Sequence, residues 1–177
     1  MSKVRLYLVR HGKTMFNTIG RAQGWSDTPL TAEGELGIHE LGIGLRESGL
    51  QFDRAYSSDS GRTIQTMGII LEELGLQGKI PYRMDKRIRE WCFGSFDGAY
   101  DGDLFMGLIP RIFNVDHVHQ LSYAELAEGL VEVDTAGWAE GWEKLSGRIK
   151  EGFEAIAKEM EEQGGGNALV VSHGMTI

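Results

Sequence analysis

Residues 4–12 read Val-Arg-Leu-Tyr-Leu-Val-Arg-His-Gly, a short apolar strand that runs directly into Arg10, His11 and Gly12. Ligands of open α/β sheets bind just outside the carboxyl ends of the strands, so a ligand is expected at this point of the chain. The planar fork of arginine matches two phosphate oxygens at once. Histidine acts as a nucleophile or an acid-base group near neutral pH. The stretch therefore predicts a nucleophile beside an anion-binding group.

Strands alternate with helices along the rest of the chain, which predicts a mostly parallel sheet with helices on both faces. The fold class expected from this order is α/β, a three-layer α/β/α sandwich. The predicted strands are residues 4–9, 53–57, 80–84 and 168–171.

Three amphipathic helices are predicted between these strands. The first follows Thr31, a typical N-cap, although four glycines within it weaken the helical prediction. The second begins near Ser58 and carries Arg62 in its first turn. The third begins at Trp138 and has apolar residues at three- and four-residue steps, which predicts that Trp138 and Trp142 face the core.

The chain has 177 residues, and we expect one domain over residues 1–177. Residues 85–134 carry little periodicity and predict a lid-like insertion with short helices. The formal net charge of −8 argues against nucleic acid or an anionic membrane surface as a partner. The single cysteine, Cys92, favours a reducing cytoplasm over a disulfide framework. The sequence leaves the oligomeric state open.

A second strand-end motif, Ser172-His173-Gly174, follows the last predicted strand. Parallel strands bring their carboxyl ends to the same edge of a sheet, and the helix that carries Arg62 begins at that edge too. We therefore expect Arg10, His11, Arg62 and His173 to converge on one point. Such a cluster is costly without an anion, because like charges crowd together. The arrangement predicts a site for a tetrahedral oxyanion such as a phosphoryl group.

Residues 8–14, Leu-Val-Arg-His-Gly-Lys-Thr, with Asn17, resemble the signature of the histidine phosphatase (phosphoglycerate mutase-like) superfamily. Further segments resemble this family in the same order along nearly the whole chain. They are residues 23–24, 27–31, 57–66, 90–98 and 172–174. The resemblance implies a phosphoglycerate mutase-like fold. Members of the family normally continue beyond the Ser-His-Gly motif, so the end of this chain at Ile177 is expected to be a truncation.

The resemblance also implies roles for individual residues. His11 would carry the phosphoryl group, and Glu90 would donate a proton to the leaving group. Arginines would offset the developing charge, so neither a metal nor a cofactor is expected. Glu90 can act as an acid near neutral pH only if burial or a neighbouring charge keeps it protonated. The expected phosphate-binding residues are Arg10, His11, Arg62 and His173, and the expected substrate-binding residues are Asn17, Gln23 and Gly24.

Residues 99–134 favour a phosphatase over a mutase. This segment contains one arginine, Arg111, and seven acidic residues, which is a poor environment for the second anionic group of a mutase substrate. We therefore predict hydrolysis of a small phosphate monoester. Two alternatives stay open: a cofactor-dependent phosphoglycerate mutase, and a non-catalytic relative that binds a phosphorylated ligand or a protein.

Asp116-His117-Val118-His119 is a candidate metal cluster, because two histidines two residues apart on a strand face the same way. No second cluster supplies the remaining ligands at a recognisable spacing. Surface or lid positions are therefore the favoured interpretation for His117 and His119.

Overall fold

Within residues 3–177, the part of the chain that the computed structural model describes, four strands form one sheet. They are β1 (Val4–Arg10), β2 (Arg54–Ser57), β3 (Tyr82–Met84) and β4 (Gly166–Ser172). All neighbouring pairs are parallel, and the strand order is β1-β4-β2-β3. The predicted α/β class is confirmed.

Six α-helices lie in the described part of the chain. They are α1 (Met15–Ile19), α2 (Ala32–Glu47), α3 (Gly61–Glu73), α4 (Ile109–Phe113), α5 (Tyr123–Val133) and α6 (Trp142–Glu162). Between β3 and α6 the chain also forms 3₁₀ turns at Lys86–Ile88, Gly94–Phe96 and Val118–Gln120, and a π-helix at Gly102–Leu108. Short helices dominate residues 85–134, as predicted.

Helices cover both faces of the sheet. Successive residues of a strand point to opposite faces, so each strand contributes side chains to both. Leu169 and Val171 of β4 pack against α2 and α3, whereas Ala168 and Val170 pack against α6. A further buried cluster joins the 85–134 segment to the start of α6. It contains Ala22, Trp91, Phe93, Leu104, Ile109, Leu126, Ala127, Leu130 and Leu145.

Three local predictions differ from the structure. The strand predicted from residue 80 begins at Tyr82, and the helix predicted near Ser58 begins at Gly61 with Ser60 as its N-cap. Trp138 and Trp142 do not face the core: their exposures are 67% and 40%. Trp138 lies before α6, so helical spacing does not apply to it, and Trp142 is the exposed first residue of the helix.

Two of the four glycines of α2 lie where this helix packs closely against another segment. A Cβ atom at Gly34 would overlap the backbone of Lys13, and one at Gly42 would lie 2.6 Å from the Cβ of Glu73. Both glycines are buried where α2 approaches another segment closely. Gly34 therefore sets the distance between α2 and the loop that follows β1.

No helix among residues 3–177 is both long and apolar enough to cross a membrane.

We predict opposite effects for two alanine substitutions in α2. Gly34→Ala should lower the free energy of unfolding by about 1–3 kcal/mol, because the new methyl group overpacks against backbone. Gly37→Ala should raise it by about 0.5–1 kcal/mol, since nothing lies within 4 Å of a Cβ at Gly37 and alanine favours the helix. Urea denaturation measures both. Equal effects of the two substitutions would contradict the close approach at Gly34.

Candidate active site

The parallel pairing of β1 and β4 brings the two histidines together. Arg10 pairs with Ser172 at the ends of these strands, and the backbone N–H of His11 donates to the Ser172 carbonyl at 3.0 Å. The imidazole rings of His11 and His173 lie with their centroids 5.3 Å apart. The two strands are neighbours in the sheet, and their terminal motifs share one edge, as the sequence predicted.

The His11 ring is held in one tautomer. Its Nδ1 lies 2.8 Å from the Gly12 carbonyl oxygen, which can only accept, so Nδ1 carries the proton and Nε2 has a free lone pair. Burial, with Arg62 and Arg10 nearby, lowers the pKa of His11 to about 4. The ring is thus neutral at pH 7. The Gly12 N–H in turn donates to Thr66 of α3 at 3.0 Å, which fixes the loop.

Arg62 projects from the first turn of α3 and is buried among acceptors. Its Nη1 donates to the Ser26 carbonyl and to Asp27 Oδ1, both at 2.8 Å. Its Nη2 donates to the Gly24 carbonyl at 2.9 Å and to His173 Nδ1 at 3.0 Å. The guanidinium therefore joins the 24–27 loop to the end of β4.

His173 is fully buried, and its Nδ1 accepts from a guanidinium that can only donate. The proton of the neutral ring is consequently on Nε2. Burial and the charge of Arg62 lower the pKa of His173 to about 2, so the ring stays neutral. Within the described residues, His173 Nε2 and Arg62 Nε are buried donors without a hydrogen-bond partner. Such donors are rare and mark a place for an acceptor.

Glu90 is buried rather than solvated. Its carboxyl group accepts from the backbone N–H groups of Trp91 at 3.0 Å and Met175 at 3.2 Å, and its Oε1 lies 3.2 Å from the Thr176 hydroxyl oxygen. Burial raises the pKa of Glu90 despite these donors. The first condition for an acid near neutral pH, burial of the carboxyl group, is met.

A cavity of about 170 Å³ brings most of the predicted residues together. It is lined by Arg10, His11, Asn17, Gln23, Gly24, Arg62 and Glu90. Six further residues line it, and the sequence analysis gave none of them a role in the site: Arg21, Ala22, Phe93, Asp101, Phe105 and Met175. His173 does not line the cavity, but it lies against two residues that do. Its Nδ1 accepts from Arg62, and its ring lies next to the ring of His11.

The side-chain amides of two lining residues are engaged within the loop. Gln23 donates to the Thr14 hydroxyl at 2.8 Å and accepts from the Thr28 hydroxyl at 3.0 Å. Asn17 Oδ1 accepts from the Thr14 backbone and hydroxyl groups, which forms a capping box at α1. No periodic pattern indicated α1 in the sequence, because five residues are too few to show one.

Arg148 and Glu140 hold the segment that carries Glu90, and sequence reasoning missed both. Arg148 donates to the carbonyls of Arg87 at 2.8 Å, Arg89 at 3.0 Å and Glu90 at 3.1 Å. It also pairs with the fully buried Glu140 at 2.6 Å. One signal was available: Arg148 lies three residues after buried Leu145, on the core side of an amphipathic helix.

The candidate metal cluster is not supported by the local structure. Val118–Gln120 form a 3₁₀ turn instead of the strand that would align His117 with His119. Within the described residues, no group of three or more His, Cys, Asp or Glu side chains is placed to hold a metal ion.

Comparison with known proteins gives consistent matches. The model of the histidine phosphatase superfamily (branch 1) matches residues 6–177. 2,3-bisphosphoglycerate-dependent phosphoglycerate mutase 2 of Bacteroides thetaiotaomicron is 34% identical over 94 residues, 53% of this chain and 38% of that protein. Probable phosphoglycerate mutase GpmB of Salmonella choleraesuis is 32% identical over 176 residues, 98% of this chain and 71% of that protein.

Solved structures agree. Phosphoglycerate mutase from Bacillus anthracis superposes with a TM-score of 0.91 at 38% identity, over 99% of this chain and 77% of that one. A proposed alpha-ribazole-5'-P phosphatase from Escherichia coli gives a TM-score of 0.72 at 26% identity, over 97% and 74%. The predicted phosphoglycerate mutase-like fold is confirmed.

Arg148→Met should lower the free energy of unfolding by about 3–5 kcal/mol, because it leaves Glu140 as an unpaired buried charge. Lys150→Met on the same helix is the matched control. Its ion pair with Glu154 spans 3.8 Å on the exposed surface, so the change should be within about 0.5 kcal/mol. Urea denaturation compares the two variants. A cost below about 1 kcal/mol for Arg148→Met would contradict the structural role of this pair.

Proposed function

Because the chain belongs to the histidine phosphatase superfamily (branch 1), we propose that it is a metal-independent phosphatase that hydrolyses a small phosphate monoester through a phosphohistidine on His11. One observation carries this proposal: a buried, neutral His11 lines the cavity with Nδ1 fixed on the Gly12 carbonyl and the Nε2 lone pair free. A neutral imidazole with one nitrogen occupied presents the other as a nucleophile.

In the first proposed step, the Nε2 lone pair of His11 attacks phosphorus and the bond from phosphorus to the ester oxygen breaks. Glu90 gives its proton to that oxygen, which leaves as an alcohol. The proton on Nδ1 stays on the ring and remains hydrogen-bonded to the Gly12 carbonyl. The phosphorylated ring is therefore cationic and is itself a good leaving group.

In the second step, water attacks the phosphohistidine and loses a proton to the Glu90 carboxylate. The electrons of the P–N bond return to Nε2, and inorganic phosphate is released. Glu90 and His11 regain their starting protonation states. Burial of Glu90 supports both roles, because a raised pKa lets one carboxyl group give and take a proton near neutral pH.

We further propose that the phosphoryl oxygens accept from the unpartnered Nε2 of His173 and Nε of Arg62, and from Arg10. The remaining guanidinium hydrogens of Arg62 already have partners in the 24–27 loop and His173. Preorganised donors of this kind stabilise charge that develops in a transition state without reorganising. Asn17, Gln23 and Gly24 would shape the cavity around the substrate.

We treat residues 1–177 as one catalytic domain, with 85–134 as its lid. The lone buried Cys92 supports a cytoplasmic location.

Phosphoglycerate mutase activity is the second candidate function, because two relatives and one solved structure are named phosphoglycerate mutase. A mutase must hold a second anionic group, and Arg21 lines the cavity. However, Arg21 donates to the Gly98 carbonyl and lies over the Tyr100 ring at 4.0 Å, and Asp101 lines the same cavity. These contacts favour hydrolysis.

His11→Ala should reduce phosphate release from phenyl phosphate by at least about 10³-fold, as expected when a covalent nucleophile is removed. His39→Ala is the matched control, since His39 is a partly exposed residue of α2 that pairs with Glu73. Wild type should form an acid-labile phosphoenzyme, which His11→Ala should lack, and EDTA should leave the wild-type rate unchanged. Persistent activity in folded His11→Ala, or an absolute need for divalent metal, would overturn the mechanism.

Phosphatase activity and mutase activity are distinguished by supplying 3-phosphoglycerate with 2,3-bisphosphoglycerate as a primer. We expect phosphate release to exceed isomer exchange, because Asp101 and the engaged Arg21 provide poor binding for a carboxylate. Phosphorus NMR follows both products in one sample, and His11→Ala reports the background. Isomer exchange faster than phosphate release would favour the mutase.

A further inference from the structure

A second, larger cavity adjoins the cavity that His11 lines, which is called the first cavity below. Its volume is about 600 Å³, and Asp101, Phe105 and Met175 line both cavities. Small-molecule sites typically measure about 300–1,000 Å³, a range that includes the second cavity but not the first, at about 170 Å³. A ligand larger than phosphate would therefore extend from the first cavity into the second. The remaining lining residues are Gly102, Met106, Val118, His119, Leu121, Ser122, Tyr123 and Leu126.

The lining of this cavity is apolar and lacks a strong cation. Neither lysine nor arginine lines it, and its titratable groups are Asp101, His119 and Tyr123. The Ser122 hydroxyl is already engaged with Glu125 in the capping box of α5. An anionic group meets no lysine or arginine here, whereas a hydrocarbon gains from leaving water.

Packed aromatic side chains support the lining where the two cavities adjoin. Phe93 lines the first cavity, and its ring meets the Phe105 ring edge-on with centroids 5.9 Å apart. Trp91 packs behind Phe93 with ring centroids 5.4 Å apart. Phe93, Trp91 and Leu126 belong to one buried cluster against which Phe105 packs, so core packing fixes this part of the lining.

From this juxtaposition we propose that the second cavity binds the apolar part of the leaving group, so that the preferred substrates are phosphate monoesters of alkyl or aryl alcohols. The proposal rests on the proposed hydrolysis at His11. The phosphoryl group would occupy the first cavity, and a chain of several carbons would pass Phe105 into the second.

The test uses linear alkyl phosphates from methyl to octyl phosphate, whose alcohols are nearly equal as leaving groups. Burial of each methylene contributes about 0.8 kcal/mol, which converts to at most about fourfold in kcat/KM. We therefore expect kcat/KM to rise about two- to fourfold per carbon until the cavity is filled. A flat series would overturn the proposal.

Val118→Asp places a charge on the lining and should abolish the rise with chain length. Val131→Asp is the matched control: Val131 is 42% exposed on α5 and does not line the cavity, so its rise should equal that of wild type. Val118→Thr, a milder change of nearly the same volume, should reduce the rise if Val118→Asp does not fold. If kcat/KM rises equally with chain length in wild type and in a folded Val118 variant, binding of the alkyl chain in this cavity is rejected.

Alkylphosphonates provide a readout that does not depend on turnover, because their C–P bond is not hydrolysed. Calorimetry should show tighter binding from methyl- to hexylphosphonate in wild type. Length-dependent phosphonate binding without hydrolysis of any ester would reject the proposed function but retain the apolar subsite. Hydrolysis with no length dependence in either series would retain the function and reject the subsite.

Discussion

The parallel register of β1 on β4 is the constraint on which the rest of the site depends. Because Arg10 is opposite Ser172, the residues that follow each strand, His11 and His173, emerge side by side. The His11 N–H then bonds to the Ser172 carbonyl and continues the ladder beyond the sheet. A slip of one residue would turn alternate side chains to the opposite face and separate the two imidazoles. The apolar packing on both sides of β4 opposes such a slip.

Electrostatics then decide which protonation states this geometry supports. Two imidazoles share a buried space with Arg62, so protonating either ring would add a like charge in a region of low polarity. Both rings are consequently neutral, and each is fixed in one tautomer by a single contact: Gly12 for His11 and Arg62 for His173. Asp27 balances the charge of Arg62 from the opposite side. The outcome is one free lone pair on His11 and one unpartnered donor on His173.

Local signals made most of the fold predictable. Apolar runs that end in polar motifs located β1 and β4, and Thr31 proved to be the N-cap of α2. Spacing failed where the chain was not helical, as at Trp138, and gave no warning of α1 or the π-helix. The family resemblance pointed to Glu90, but its burial depends on contacts with residues 175 and 176, far along the chain. The Arg148 contacts span about sixty residues, which no local pattern can report.

Glu90 and His11, the proposed acid and nucleophile, lie in different parts of the chain, yet hydrogen bonds tie their segments together. The Ser172 hydroxyl donates to the Ile88 carbonyl at 2.8 Å, and the Thr176 hydroxyl donates to the Arg89 carbonyl at 2.9 Å. Arg148 holds the same segment from the side of α6. His11 and Glu90 are therefore fixed to the sheet edge, whereas Val118 and Leu121 of the second cavity lie in the irregular segment before α5. If the proposed subsite is correct, sequence change in that segment alters which leaving group fits without moving His11 or Glu90, so the fold separates substrate choice from the proposed chemistry.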